Sequence, residues 1–189
     1  MKKAIFSSIS VMLLLSSFSA FSQADKTKDK MKSEDGKMKM KMKGVNTKDF
    51  PYQATYSSQF VMGNPAHAKK ILELWKDYDA NNLSLHADYF ADTLTIDLPN
   101  GMSIKGKDPA MKAITDYRTS QGKVESVVDA WIATKSVDRN ADWVCIWGVE
   151  TATDAAGKVT KNRIHEIWQL NKDGKVVYMA QFTAMPPAM

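Results

Sequence analysis

The chain has 189 residues, a formal charge of +5 and a single cysteine. That length is one domain plus additional segments, and one cysteine excludes an internal disulfide, so the fold must hold by its core alone. The charge is uneven: two lysines near the start, and eight lysines against four acids between Asp25 and Gly44, leave the remainder at −1, which removes the case for a nucleic-acid-binding domain.

The N-terminus reads as an export signal over residues 1–22. Lys2 and Lys3 form a positive start, Ile9 to Leu15 an apolar stretch, and Ala20 and Ser22 the small residues before a cleavage at Gln23. The apolar run is interrupted by serines and falls short of a membrane span, so the mature form is not expected to cross a membrane. No cysteine stands at the cleavage site to carry a lipid. The expected location is the periplasm or the outside of the cell.

Residues 23–50 form a lysine- and methionine-rich tail. Asp25 to Gly44 has no aromatic residue, and Thr27 is its one β-branched residue. Such a segment buries too little surface to offset its ordering entropy and should be disordered. It contains Lys37-Met38-Lys39-Met40-Lys41-Met42-Lys43. Thioether sulfur suits Cu(I), but the interleaved lysines repel a cation, and the tail has no histidine or cysteine. A solvated linker able to touch acidic lipid or an envelope polymer is the better reading.

The domain is expected over residues 51–189. Asn64 and Pro65 can open a helix, with Asn64 as cap and Pro65 in the first turn. Ile71, Leu72, Leu74, Trp75 and Tyr78 recur at spacings of three and four and give that helix one apolar stripe. Asn81-Asn82 ends it, and Leu83 to Phe90 reads as a second short helix. Thr93 to Leu98 is a strand, Pro99-Asn100-Gly101 a turn, and Met102 to Lys105 the returning strand. Asp108 caps a third helix that starts at Pro109 and carries Met111, Ile114 and Tyr117. Four long strands then follow over 124–137, 143–153, 164–170 and 176–183. Asp173-Gly174 is a hairpin signal between the last two. This order implies an α+β fold, an antiparallel sheet with helices on one face.

Pairing across Asp173-Gly174 as a two-residue loop sets Leu170 opposite Val177, Trp168 opposite Met179 and Glu166 opposite Gln181. Alternation then gathers Ile164, Glu166, Trp168, Val177, Met179, Gln181 and Thr183 on one face, with Arg163, His165, Ile167, Tyr178 and Phe182 on the other. An acid and an amide among apolar groups are what small-ligand sites look like. Glu166 is either desolvated against Gln181 and available for proton transfer, or exposed at a rim. Trp143, Cys145 and Trp147 share a face of their strand. A two- or four-residue loop at Ala155 to Gly157 puts them with Glu166, and a three-residue loop puts them with His165. Tryptophans in such strands also serve simply as packing. Cys145 reads as a buried apolar residue. His67, His86 and His165 show no metal spacing, so no metal and no cofactor is expected. Arg163 and His165 could bind an anion or stand as a solvated pair. No phosphate loop, nucleophile triad or nucleic-acid motif is present.

Several stretches resemble one superfamily. They are Trp75 through Phe90-Ala91-Asp92, Thr95-Ile96-Asp97, Pro99-Asn100-Gly101 to Gly106, Glu166-Ile167-Trp168-Gln169-Leu170, and Asp173-Gly174-Lys175-Val176-Val177. Over residues 65–183 the chain resembles the nuclear transport factor 2-like superfamily, in particular its SnoaL-like and ketosteroid isomerase branches. The resemblance implies a cone-shaped curved antiparallel sheet wrapped around three N-terminal helices, an apolar pocket open at one end, and a homodimer formed through the outer sheet face. It places Leu74, Leu98 and Glu166 at the isomerase branch's tyrosine, base and late-strand acid, with Asp97 one residue from the base. Two of the three roles are thus missing, and ketosteroid isomerase chemistry is not expected. The reading that follows is an exported domain binding a small apolar or aromatic ligand through Trp75, Tyr78, Trp147, Trp168, Met179 and Gln181. One rival is a SnoaL-like enzyme of isomerase, cyclase or dehydratase type using Glu166 with Asp97, or with a tyrosine such as Tyr78 or Tyr89, as catalytic residues. The other is a non-catalytic interaction module.

Overall fold

A computed structural model describes residues 47–184. The expected export signal, the lysine–methionine repeat and the last five residues lie outside them. The elements in chain order are β1 (Phe60–Met62), α1 (Pro65–Asp79), β2 (Phe90–Asp97), β3 (Ser103–Lys105), α2 (Lys107–Ser120), β4 (Lys123–Ser136), β5 (Ala141–Thr153), β6 (Val159–Leu170) and β7 (Val176–Ala184). A single 3₁₀ turn at Ala87–Tyr89 stands between α1 and β2. The strands form one sheet in the order β1-β4-β5-β6-β7-β2-β3. Among the described residues no helix is long and apolar enough to cross a membrane.

Three expectations need correction. The sheet is mixed: β2 runs parallel to β7, with Phe90 beside Val176 and Ile96 beside Met179. The chain enters β2 from the same end of the sheet as β7, which forces that direction. The described helices are two, because Leu83 to Phe90 forms turns, the 3₁₀ turn and the start of β2 rather than a helix. Leu83, Ala87 and Phe90 have helical spacing, but Leu83 packs inward while Leu85 is 61% exposed, and Phe90 already belongs to the sheet core. His86 ties this segment to α1 through a 2.6 Å contact from Nδ1 to the buried Asp77 carboxylate, and its ring stacks on Tyr89. Finally, α2 begins at Lys107, after Gly106 with φ 93°, and Asp108 falls inside its first turn rather than capping it. A carboxylate there still complements the helix dipole.

Helix α1 starts as its sequence dictates. The Asn64 side chain accepts a hydrogen bond from the Ala66 N–H at 3.0 Å, and Pro65 occupies the first turn. Ala68, Ile71, Leu74 and Trp75 are buried against the sheet, in one cluster with Leu94, Ile96, Val144, Ile146, Leu170 and Val176. At the other end of α1, the buried Arg118 of α2 donates from Nε to the Tyr78 carbonyl at 2.6 Å. It also donates from Nη2 to the Asp79 carbonyl and from Nη1 to the Gly122 carbonyl, both at 2.8 Å. A guanidinium at a helix C-terminus satisfies carbonyls that have no partner within the helix and complements the dipole. The Asp79 carboxylate in turn accepts from the Ser126 N–H and hydroxyl on β4, at 3.1 and 2.7 Å. Both ends of α1 are therefore fixed above the sheet. Replacing Arg118 with Met keeps the aliphatic volume and removes the guanidinium from the Asp79 and Gly122 carbonyls, while the Tyr78 carbonyl keeps the Asn81 N–H at 2.9 Å. The urea unfolding midpoint should fall by an amount equivalent to about 2–3 kcal/mol, and an unchanged midpoint would remove Arg118 from this role.

Candidate functional site: an acid-lined cavity between α1 and the sheet

The hairpin of β6 and β7 sets the inner wall. Glu166 stands opposite Gln181 and Trp168 opposite Met179. The connection is the five residues Asn171 to Lys175, with Gly174 at φ 68°, and an irregularity follows that sets Leu170 opposite Val176 rather than Val177. Val176 accordingly fills the core. The β5–β6 loop is also five residues, because Thr153 pairs with Val159. The Asp154 side chain holds it by accepting from the Ala156 and Lys158 N–H groups. An odd loop places Trp147 beside His165 and Ile146 beside Glu166.

Between α1, α2, the β2–β3 turn and this wall lies a cavity of about 480 Å³. Trp75, Tyr78, Trp168, Met179, Gln181 and Glu166 all line it. So do Leu74 and Leu98, the positions that the resemblance assigned to a tyrosine and a base. Trp147 does not. It lies on the outer face, 39% exposed, stacked 4.8 Å from His165, because the odd loop turns it away. Asp97 does not line the cavity either. Its neighbour Ile96 fills the core, so alternation turns Asp97 outward, where it accepts from the Tyr178 hydroxyl at 2.7 Å. The Ser103 and Tyr178 hydroxyls hold its carboxyl below the usual aspartate range, which suits a fixed acceptor rather than a base.

Glu166 is the best-determined group in the cavity. Its Oε2 accepts from the indole Nε1–H of Trp75 at 2.6 Å and of Trp168 at 3.0 Å, and its Oε1 accepts from the Gln181 amide at 2.9 Å. It is therefore not an exposed rim acid: only 6% of it is accessible. Burial pushes its carboxyl above the ordinary value of 4.5, and the hydrogen bonds from Gln181, Trp75 and Trp168 pull the other way. Donors alone, with no cation, hold this acid. The Trp75 indole reaches it because residue 148 on the sheet beneath is glycine. A Cβ there would lie 3.0 Å from the Trp75 ring and 2.5 Å from the Val127 carbonyl oxygen.

The sequence reading missed a second acid. Glu150 lies on the same face of β5 as Ile146 and Gly148, opposite Asn162, 7% exposed and lining the cavity. Burial pushes its carboxyl up and the Asp79 charge adds to this, while Asn162, Arg118 and Tyr78 oppose the rise. The signal was its phase: Glu150 falls in step with Val144 and Ile146, and became recognisable once the loop length fixed which face was inside. Burial and the nearby Glu150 also push the Tyr78 hydroxyl well above the usual tyrosine range. Among the described residues no cluster of potential metal ligands occurs.

No protein-family model matches the sequence, and no curated protein does. Solved structures share the fold. A nuclear transport factor 2-like protein from Exiguobacterium sp. 255-15 is 21% identical, the match covering 61% of this chain and 98% of that one with a TM-score of 0.51. The Orange Carotenoid Protein of Anabaena (Nostoc) sp. PCC 7120, solved with canthaxanthin, is 17% identical over 72% of this chain and 42% of its own, with a TM-score of 0.53. A protein from Jannaschia sp. CCS1 assigned as a SnoaL-like polyketide cyclase is 15% identical over 62% of this chain and 84% of its own, with a TM-score of 0.50. The class is thus an α+β cone with an internal cavity. The domain has the nuclear transport factor 2-like fold.

Glu166→Ala leaves two indole N–H groups without an acceptor, at a cost of about 1–3 kcal/mol for each. Glu166→Gln retains an oxygen for both indoles, with Gln181 free to turn its own oxygen toward the new amide, and should cost far less. The pH dependence has a definite sign. The folded state holds the Glu166 proton more tightly than the unfolded chain, so its ionisation costs stability as pH rises from 4.5 through the raised value. Urea titrations at several pH values should show the Gln variant gaining on the wild type between acid and neutral pH. A gap that stays constant would contradict the buried assignment.

Proposed function

We propose that the protein is an exported binding protein that takes a small, largely apolar or aromatic molecule into the cavity between α1 and the sheet. The observation that carries the reading is the cavity itself: about 480 Å³, walled by apolar and aromatic side chains, with a few fixed polar groups. Such cavities are the usual form of small-ligand sites. A module that worked only through its surface would have this space filled by side chains. The carotenoid bound by the Anabaena neighbour lends support, since an apolar ligand is at home in a relative of this fold. The sequence of residues 1–22, which reads as an export signal, supports the periplasm or the outside of the cell as its location.

A second reading, acid–base chemistry on the bound molecule, is favoured by one observation. Two buried carboxyls with raised pKa values face the same cavity. In that reading Glu166 and Glu150 would carry the chemistry, without Asp97. The outer sheet face, where Trp147 and Phe182 are 39% and 52% exposed beside the His165 ring, is the surface proposed for a homodimer.

Native mass spectrometry of the protein purified from its own cell envelope reads both proposals at once. The expected spectrum is a dimer carrying a reproducible small-molecule adduct that disappears in Trp168→Ala. An apo spectrum under gentle conditions, unchanged by the substitution, would contradict the binding reading.

A further inference from the structure

The lining of the cavity is unbalanced in charge. Among the described residues it includes two carboxyl groups, Glu150 and Glu166, and no lysine, arginine or histidine. The nearest buried base, Arg118, spends its three donor nitrogens on the backbone carbonyls of Tyr78, Asp79 and Gly122. It lines no part of the cavity. Five aromatic side chains do: Trp75, Tyr78, Phe90, Tyr117 and Trp168.

The two acids are held differently. Glu166 has three direct N–H donors and a structural task, joining α1 to the sheet. Glu150 has no comparable clamp. Its hydrogen-bond partners are Asn162 on β6 and Tyr78 on α1, and the one cation near it, Arg118, is engaged by backbone carbonyls. A buried acid whose nearby cation is engaged elsewhere carries a desolvation cost that a bound partner of opposite charge lowers. Aromatic rings around an anionic pole are the surroundings in which organic cations are recognised, through the ring quadrupole together with the charge.

We propose that the cavity selects an organic cation, a molecule with a substituted ammonium group seated beside Glu150 among Tyr78, Tyr117 and Trp75, and an apolar body lying toward Phe90, Leu98 and Met179. This rests on the pocket reading above and names the ligand class. The second acid, Glu166, adds to the negative potential at the ammonium while keeping its own donors. A hydrated metal cation is disfavoured by the same lining, because apolar and aromatic walls cannot replace its water.

The test compares two probes of the same shape, phenyltrimethylammonium and tert-butylbenzene, by quenching of tryptophan fluorescence in the purified full chain. The ammonium probe should bind at least tenfold more tightly than its neutral isostere. Glu150→Gln should remove that preference while leaving the affinity for tert-butylbenzene within about twofold, the unchanged neutral binding showing that the variant is folded. Equal or tighter binding of tert-butylbenzene by the wild type would overturn the cation proposal and leave the pocket reading standing. A preference that survives Glu150→Gln would overturn the role of Glu150. Binding of neither probe would overturn the cation proposal, and an apo native mass spectrum beside it would overturn the pocket reading as well.

Discussion

A carboxyl buried between a helix and a sheet must find donors, take up a proton or unfold the region around it, and Glu166 finds three donors. Two come from indoles, Trp75 on α1 and Trp168 on its own strand, and one from Gln181 across the hairpin. Removing only one partner of such a set leaves a buried charge or a buried N–H unpaired, which costs more than the bonds contribute when complete. The Trp75 contact therefore constrains the separation of helix and sheet. The indole spans the gap, its ring lies against Gly148, and the space beside it is the cavity. The same acid that fixes this wall also gives the cavity part of its negative character.

The rest of the helix is arranged so that this contact can persist. Asn64 caps α1 at its start, and Arg118 holds the carbonyls at its end. Asp79 ties the same end to Ser126 on β4. A helix fixed at both ends keeps Leu74, Trp75 and Tyr78 aimed into the cavity without filling it. The segment between α1 and β2 has little core of its own, and the His86–Asp77 contact holds it instead. These contacts hold the helix and the turn segment that wall the cavity.

What could be read from the sequence followed the length of each periodic signal. The stripe Ile71, Leu74, Trp75, Tyr78 is long enough to fix both the helix and its inner face. The pairing of Glu166 with Gln181 followed from alternation back from Asp173-Gly174, even though the loop is five residues and not two, because the irregularity near Leu170 restores the phase. Short signals failed. Leu83, Ala87 and Phe90 fit a helix by spacing, yet tertiary contacts pulled Phe90 into the sheet. The face of Trp147 and Glu150 depended on the parity of one loop, and a single residue reverses every side chain in the strand. That parity hid Glu150 and offered Trp147 in its place. The parallel pairing of β2 with β7 had no local signature, since direction within a sheet is decided by the path of the whole chain. The fold family was legible from the order of elements, whereas the second acid needed coordinates.

The most direct measurement is an NMR titration that follows the five tryptophan indole N–H signals and the side-chain carboxyl carbons across acid and neutral pH. Two indole protons, those of Trp75 and Trp168, should lie downfield, exchange slowly with solvent, and move together with one carboxyl that titrates above the ordinary glutamate range. Both should shift in Glu166→Gln. Indole signals that titrate with no carboxyl, exchange freely and ignore the substitution would contradict a cavity built around Glu166.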